Sequence, residues 1–214
     1  LDTWQTSGMA ATASHDVVFD NVFIPEHRVM DSTPARSGES FGASLHSGHV
    51  YKTAFTPALA ISALAPMVAG AKGVSDHALQ RSKEFLSTYS GKSSVDNPAL
   101  QIRLAKANLM ADSAMTLLSQ LATDIQADSL NGPVPIERRA LQRAQASYIA
   151  NLCRECATLL AQGAGASGHM RESPIQRAFR DLNMAACHVV FDHDPTMELH
   201  GKMLLGRPPA VILA

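Results

Sequence analysis

Between Leu100 and Ile125 the apolar residues fall at Leu100, Leu104, Ala107, Ala111, Ala114, Leu118, Leu121 and Ile125, an unbroken alternation of steps of four and three. No strand has that period; it marks one apolar seam on a long helix packed in a bundle. Asn131-Gly132-Pro133 ends this helix, and another begins near Pro135 with Leu141, Ala144, Tyr148, Leu152, Cys156 and Leu159 on one stripe. The stretch from Ala54 to Ala71 is nearly all apolar, but Pro57, Pro66, its alanine content and the following Lys72 point to a buried helix kinked near Pro66, not a membrane span. A further helix is expected from about Pro174 to Phe191, closed by Pro195. At about 1.5 Å per residue the long helices run roughly 40 Å, which suits an up-and-down bundle.

The N-terminal part differs. Val17, Val18, Phe19, Val22, Phe23 and Ile24 cluster between Ser14 and Pro25, broken by Asp20-Asn21, which is hairpin-type turn chemistry between short strands. Residues 31–49 are rich in Ser, Gly and His and read as a connection. The chain opens on Leu1, and its first residues read as the middle of a domain, so a further segment is expected upstream.

With 46% hydrophobic and 17% charged residues over 214 positions, the chain has the apolar content for a core. A formal net charge of -1, with no run of like charges, removes the footprint of a nucleic-acid or anionic-membrane binder. Three cysteines form no disulfide framework, and no signal peptide or targeting tail is visible, so a cytoplasmic location is expected.

Four constellations could carry chemistry. Gly163-Ala-Gly-Ala-Ser-Gly168 formally matches a dinucleotide fingerprint, but that motif needs a preceding strand, and here it lies between helices. It reads instead as a loop whose backbone N–H groups and Ser167 hydroxyl can approach a planar or anionic ligand. Cys153-Arg-Glu-Cys156 lacks the second ligand pair of a zinc site and the strand of a redox motif, so two small buried side chains are the better account. His188, one helical turn before Asp192, is a satisfied core residue, a helix cap or a functional group; metal ligation by the pair is disfavoured because Glu-x-x-His partners are missing. Arg177, Arg180 and Asp181 read as ion pairs one turn apart, and Arg81, before the Gly91-Lys92 loop, as solvated or phosphate-facing.

Taken together these residues resemble a known family. Trp4, then Gly8-Met-Ala-Ala-Thr-Ala-Ser14-His-Asp-Val and Val22-Phe-Ile-Pro25-Glu, look like the exit from the middle β domain of the acyl-CoA dehydrogenase superfamily. Gly165-Ala-Ser-Gly168, Pro174-Ile-Gln-Arg177-Ala-Phe-Arg180-Asp181, His188 and Gly201-Lys-Met-Leu-Leu-Gly206 look like its two-component flavin-dependent monooxygenase branch. The resemblance implies a mainly α chain: residues 1–30 as the last strands of the β domain, 31–49 as a connection, and 50–214 as the C-terminal up-and-down four-helix bundle of the acyl-CoA dehydrogenase fold, through which subunits form a homotetramer.

It further implies the oxygenase component of a two-component monooxygenase. A partner flavin reductase supplies reduced FMN, with FAD as the alternative; O2 then forms a flavin C4a-hydroperoxide that hydroxylates a small phenol-type aromatic. Trp4 and Ser14 would lie by the flavin, Arg81 would meet its phosphate in a neighbouring subunit, and Gly165, Ala166 and Ser167 would form the loop beside it. His188 would be the catalytic histidine, taking or sharing the phenolic proton with Asp192 orienting it. The alternatives are an acyl-CoA dehydrogenase with bound FAD, disfavoured because Asp192 stands where a Glu followed by Gly-Thr would be, and a non-catalytic helical oligomerisation domain.

Overall fold

In the computed structural model, which describes residues 1–84 and 93–209, the four-three seam lies on a single helix. Among those residues the helices are α1 (Phe41–Leu45), α2 (Phe55–Glu84), α3 (Pro98–Leu130), α4 (Ile136–Gly163), α5 (Pro174–Ala185) and α6 (His193–Leu204). The start of α3 is written locally: Asn97 Oδ1 accepts from the N–H groups of Ala99 and Leu100, and Pro98 occupies the first turn, where its missing N–H costs nothing. The connection 131–135 returns the chain as α4 against α3.

The seam is the inner face of α3. Ala107, Ala111 and Ala114 are fully buried and Leu121 and Ile125 nearly so. They meet Leu64, Val68 and Ala71 of α2 and Ile149, Cys153, Cys156 and Ala157 of α4 in one core. A core this rich in alanine lets helix axes approach to about 8 Å, the near end of the usual range. α2 is long and apolar enough to cross a membrane by length and composition. Its buried residues recur at Ala60, Leu64, Met67, Ala71, Val74 and Ala78, the stripe it turns to the other helices, and it runs through Pro66 without ending.

Three expectations change. First, residues 14–25 form no β ladder among the described residues: Asn21 has the left-handed turn conformation, φ 48°, but its flanks join no ladder, with Phe19 71% and Phe23 87% exposed. β-branched composition favours extension, but a strand needs a neighbour to take its backbone hydrogen bonds. Second, the stripe on α4 is rotated: Tyr148 is 49% exposed, whereas Ile149, Cys153 and Leu160 are buried. α4 packs on α2, α3, α5 and α6, so burial goes most of the way round it and no single stripe describes it. Third, the last helix is two. α5 stops at Ala185, a 3₁₀ turn spans Val189–Phe191, and α6 begins at His193 with Pro195 in its first turn, starting a helix and not closing one.

Candidate active site

A cavity of about 820 Å³ lies between α2 and α5. Its wall includes Met67, Gly70, Gly73 and Val74 of α2, Arg177, Asp181 and Ala185 of α5, Arg171 and Glu172 just before α5, His188 and Phe191 at the 3₁₀ turn, and Met9 of the N-terminal segment. The two glycines are informative. A Cβ on Gly73 would meet nothing within 4 Å, and one on Gly70 would only touch Leu182 at an ordinary 3.7 Å. Glycine inside a helix costs about 0.5–1 kcal/mol relative to alanine, and protein packing at Gly73 gives no reason for it. What the pair leaves is bare backbone facing a mainly apolar cavity, a surface on which a flat ring system can lie.

His188 is not on a helix, as the sequence suggested, but is the N-cap of the 3₁₀ turn. Its Nδ1 accepts a hydrogen bond from the Val190 N–H at 3.2 Å. With Nδ1 accepting, the ring's N–H falls on Nε2, on a side chain that lines the cavity. Asp192 does not orient the ring; it is exposed and acts electrostatically on Arg143 of α4. Burial depresses the Arg143 pKa and Asp192 opposes that shift. Arg143 donates to the carbonyls of Val189 at 3.0 Å and Val190 at 3.4 Å, and Ser147 Oγ donates to the Phe191 carbonyl at 2.9 Å.

The Met9 wall is clipped to α5. Asp181 Oδ1 accepts from the Met9 N–H at 2.8 Å, and Arg180 donates to the Ser7 carbonyl at 2.6 Å. Between them a Cβ on Gly8 would stand 2.2 Å from the Arg180 carbonyl oxygen, so only glycine allows this backbone-on-backbone approach. The expected Arg177–Asp181 pair is present at 3.7 Å. Trp4 is tied to the same segment through its indole N–H, which donates to the Met9 carbonyl at 2.9 Å, whereas Ser14 is exposed and bonds Thr12.

Arg81 and Ser167 meet, although 86 positions apart. The guanidinium donates to Ser167 Oγ at 2.5 Å and to the Ala164 carbonyl at 3.3 Å, joining the end of α2 to the loop after α4. Gly165 has φ 62°, and Ala166 opens a 3₁₀ turn; no strand precedes them, as the sequence argued against a dinucleotide fold. The Gly91-Lys92 loop beyond Arg81 lies outside the described residues. Of the residues expected at a site, His188 alone lines the cavity; Arg81 lies seven positions beyond Val74, about 10 Å further along α2. Sequence reasoning missed Gly73, Met9, Arg143 and Ser147, and of these only Gly73, a helix-breaking residue with no turn beside it, left a local signal.

Cys153 and Cys156 are core residues. Burial pushes their thiols up to about 12 and about 11, and Cys156 donates to the Ala107 carbonyl at 3.3 Å, so neither is a ready nucleophile. Among the described residues no group of three or more His, Cys, Asp or Glu could hold a metal.

Residues 61–193 match the family described as acyl-CoA dehydrogenase, C-terminal domain. A pigment production hydroxylase of Rhodococcus sp. is 34% identical over 97% of this chain and 54% of its own length. The oxygenase component of p-hydroxyphenylacetate 3-hydroxylase of Acinetobacter baumannii is 27% identical over 98% of this chain and 50% of its own. Among solved structures, XiaF from Streptomyces sp., in complex with FADH2 and glycerol, superposes with a TM-score of 0.89 at 25% identity and covers 100% of this chain and 54% of that one. The chain thus spans about half the length of the relatives it matches.

Proposed function

Because the chain belongs to the acyl-CoA dehydrogenase C-terminal-domain family, we propose that it forms the C-terminal half of the oxygenase component of a two-component flavin-dependent monooxygenase that hydroxylates a phenol-type aromatic. The observation that carries this reading is a histidine N–H donor on the wall of an apolar cavity floored by the bare backbone of Gly70 and Gly73. Two relatives whose names specify hydroxylase chemistry support it.

The glycine floor leaves room for a flavin ring: Gly73 lines the cavity and nothing in the protein fills the space its Cβ would take. Reduced flavin, when bound, supplies the electrons that activate O2 for insertion of one oxygen atom into the substrate. The XiaF complex supports FADH2 as the form to test first, with FMN second. Gly70 and Gly73 would face the ring, and Arg81 with Ser167 would hold a phosphate beyond it.

The chain's own residues then have separable tasks. His188 Nε2–H donates to the phenolic oxygen and stabilises its anionic form, lowering a pKa that is ordinarily near 10 and enriching the ring toward an electrophilic oxygen. Met67, Val74 and Phe191 keep water from the reacting groups. Asp192 is not among the cavity-lining residues, and of the two carboxylates that are, Glu172 and Asp181, the latter is engaged by the Met9 N–H and Arg177, an arrangement that favours the oxygenase over a dehydrogenase with its base at Asp192. A flavin reductase as partner, a homotetramer and a cytoplasmic location belong to the same proposal.

The test is hydroxylation by the full-length protein with a separately purified flavin reductase, counting product per reduced flavin consumed. Product from a simple phenol, lost in His188→Ala with the thermal unfolding midpoint unchanged, is the expected outcome. Failure to bind reduced FADH2 or FMN would leave an assembly domain.

A further inference from the structure

The amide between Val189 and Val190 is held from both sides. Its carbonyl oxygen accepts from Arg143 Nη2 at 3.0 Å, and its N–H donates to His188 Nδ1 at 3.2 Å. Because a peptide unit is planar, fixing the oxygen fixes the direction of the N–H. Arg143 also reaches the next carbonyl, of Val190, and Ser147 holds the one after, of Phe191, so three successive carbonyls of the turn are tied to α4. Both α4 side chains are buried, Arg143 at 8% exposure and Ser147 at 1%. A guanidinium is costly to bury, and this one is spent mainly on backbone carbonyls, with the Asp192 carboxylate acting on it electrostatically.

Resting on the reading above, we propose that Arg143 and Ser147 are positioning residues for His188: they orient the 189–190 amide so that the ring is kept as the Nε2–H tautomer, the donor that meets substrate. Hydrogen bonds in such a chain polarise one another, so the guanidinium also sharpens the N–H that selects the tautomer. Neither side chain lines the cavity, so neither touches substrate.

The test is solid-state ¹⁵N NMR of the full-length, histidine-labelled protein without ligand, with the His188 signals assigned by their loss in His188→Gln. The wild type is expected to show a bare Nδ1 and a protonated Nε2. Arg143→Met is expected to mix the tautomers and lower kcat roughly ten- to a hundredfold, the cost of a misplaced reacting group. Arg143→Lys, which keeps the charge but not the fork, should fall between. Should Arg143→Met not fold, Ser147→Ala, which removes the hydrogen bonds to the Phe191 carbonyl and to the His193 ring, is read at the assigned His188 signals in the same way and with the same expected direction. A protonated Nδ1 in the wild type, or variants that lose kcat while His188 keeps its wild-type signals, would overturn the proposal. The spectrum needs no flavin, so a protein that hydroxylates nothing but shows the predicted tautomer shift would sink the monooxygenase reading and leave the positioning intact.

Discussion

At the scale of single residues, the site is made by positions whose chemistry is invisible without their neighbours. Gly73 is the clearest case, because the reason for it is absent from the protein itself. Gly73→Ala is therefore expected to raise stability by about 0.5–1 kcal/mol, since helix propensity improves and the new methyl meets no atom, while weakening reduced-flavin binding. Thermal unfolding and anaerobic titration would check the two halves; a stabilised variant with unaltered binding would remove the glycine floor from the site. His188 was legible as a residue of interest, but its conformation was not. Nothing between Ala185 and Val190 is Gly or Pro, so the sequence gives no stop signal, and the turn is imposed by side chains of α4 more than forty positions earlier. Arg81 and Ser167 look unrelated in sequence for the same reason: an 86-residue separation hides a single hydrogen bond.

At the scale of elements, what was readable was periodicity. The α3 seam carried through because one face does all of its packing and alternates strictly, while α4, wrapped by four other helices, has too little exposed surface to leave a clean pattern. The alanines of the seam set how near α2 and α4 can come. Ala111→Leu should accordingly lower stability by about 1–3 kcal/mol through overpacking, whereas Leu109→Ala, on the exposed side of the same helix, should stay within about 0.5 kcal/mol. Chemical denaturation of both variants separates the two; similar costs would mean that α3 packs with a different face inward. Pro195 teaches the converse. In sequence it suggests a stop, but a proline is equally at home in the first turn of a helix, and only the position of the preceding break decides which.

At the scale of the whole molecule, a helical body carries an apolar, unpaired segment. Val17, Val18, Phe19, Val22 and Phe23 are all at least 60% exposed and lie within seven positions. Contiguous exposed apolar surface drives association, so the 214-residue chain by itself is expected to self-associate, and Phe19→Ser with Phe23→Ser to reduce this without lowering the unfolding midpoint. Sedimentation velocity across a concentration series decides; an unchanged distribution would place the association elsewhere. The same N-terminal segment is clipped to α5 by contacts that span 172 and 173 positions. Closing a loop of that size in an unfolded chain costs on the order of 4–5 kcal/mol from its logarithmic term alone, so the clip has no means of forming early. Once the bundle stands, the free tether shrinks to the stretch between Met9 and Phe55, and closure becomes about 1 kcal/mol cheaper. Within this stretch of chain the earliest residues thus find their place last, and the cavity acquires its Met9 wall only after the helices of the bundle have packed.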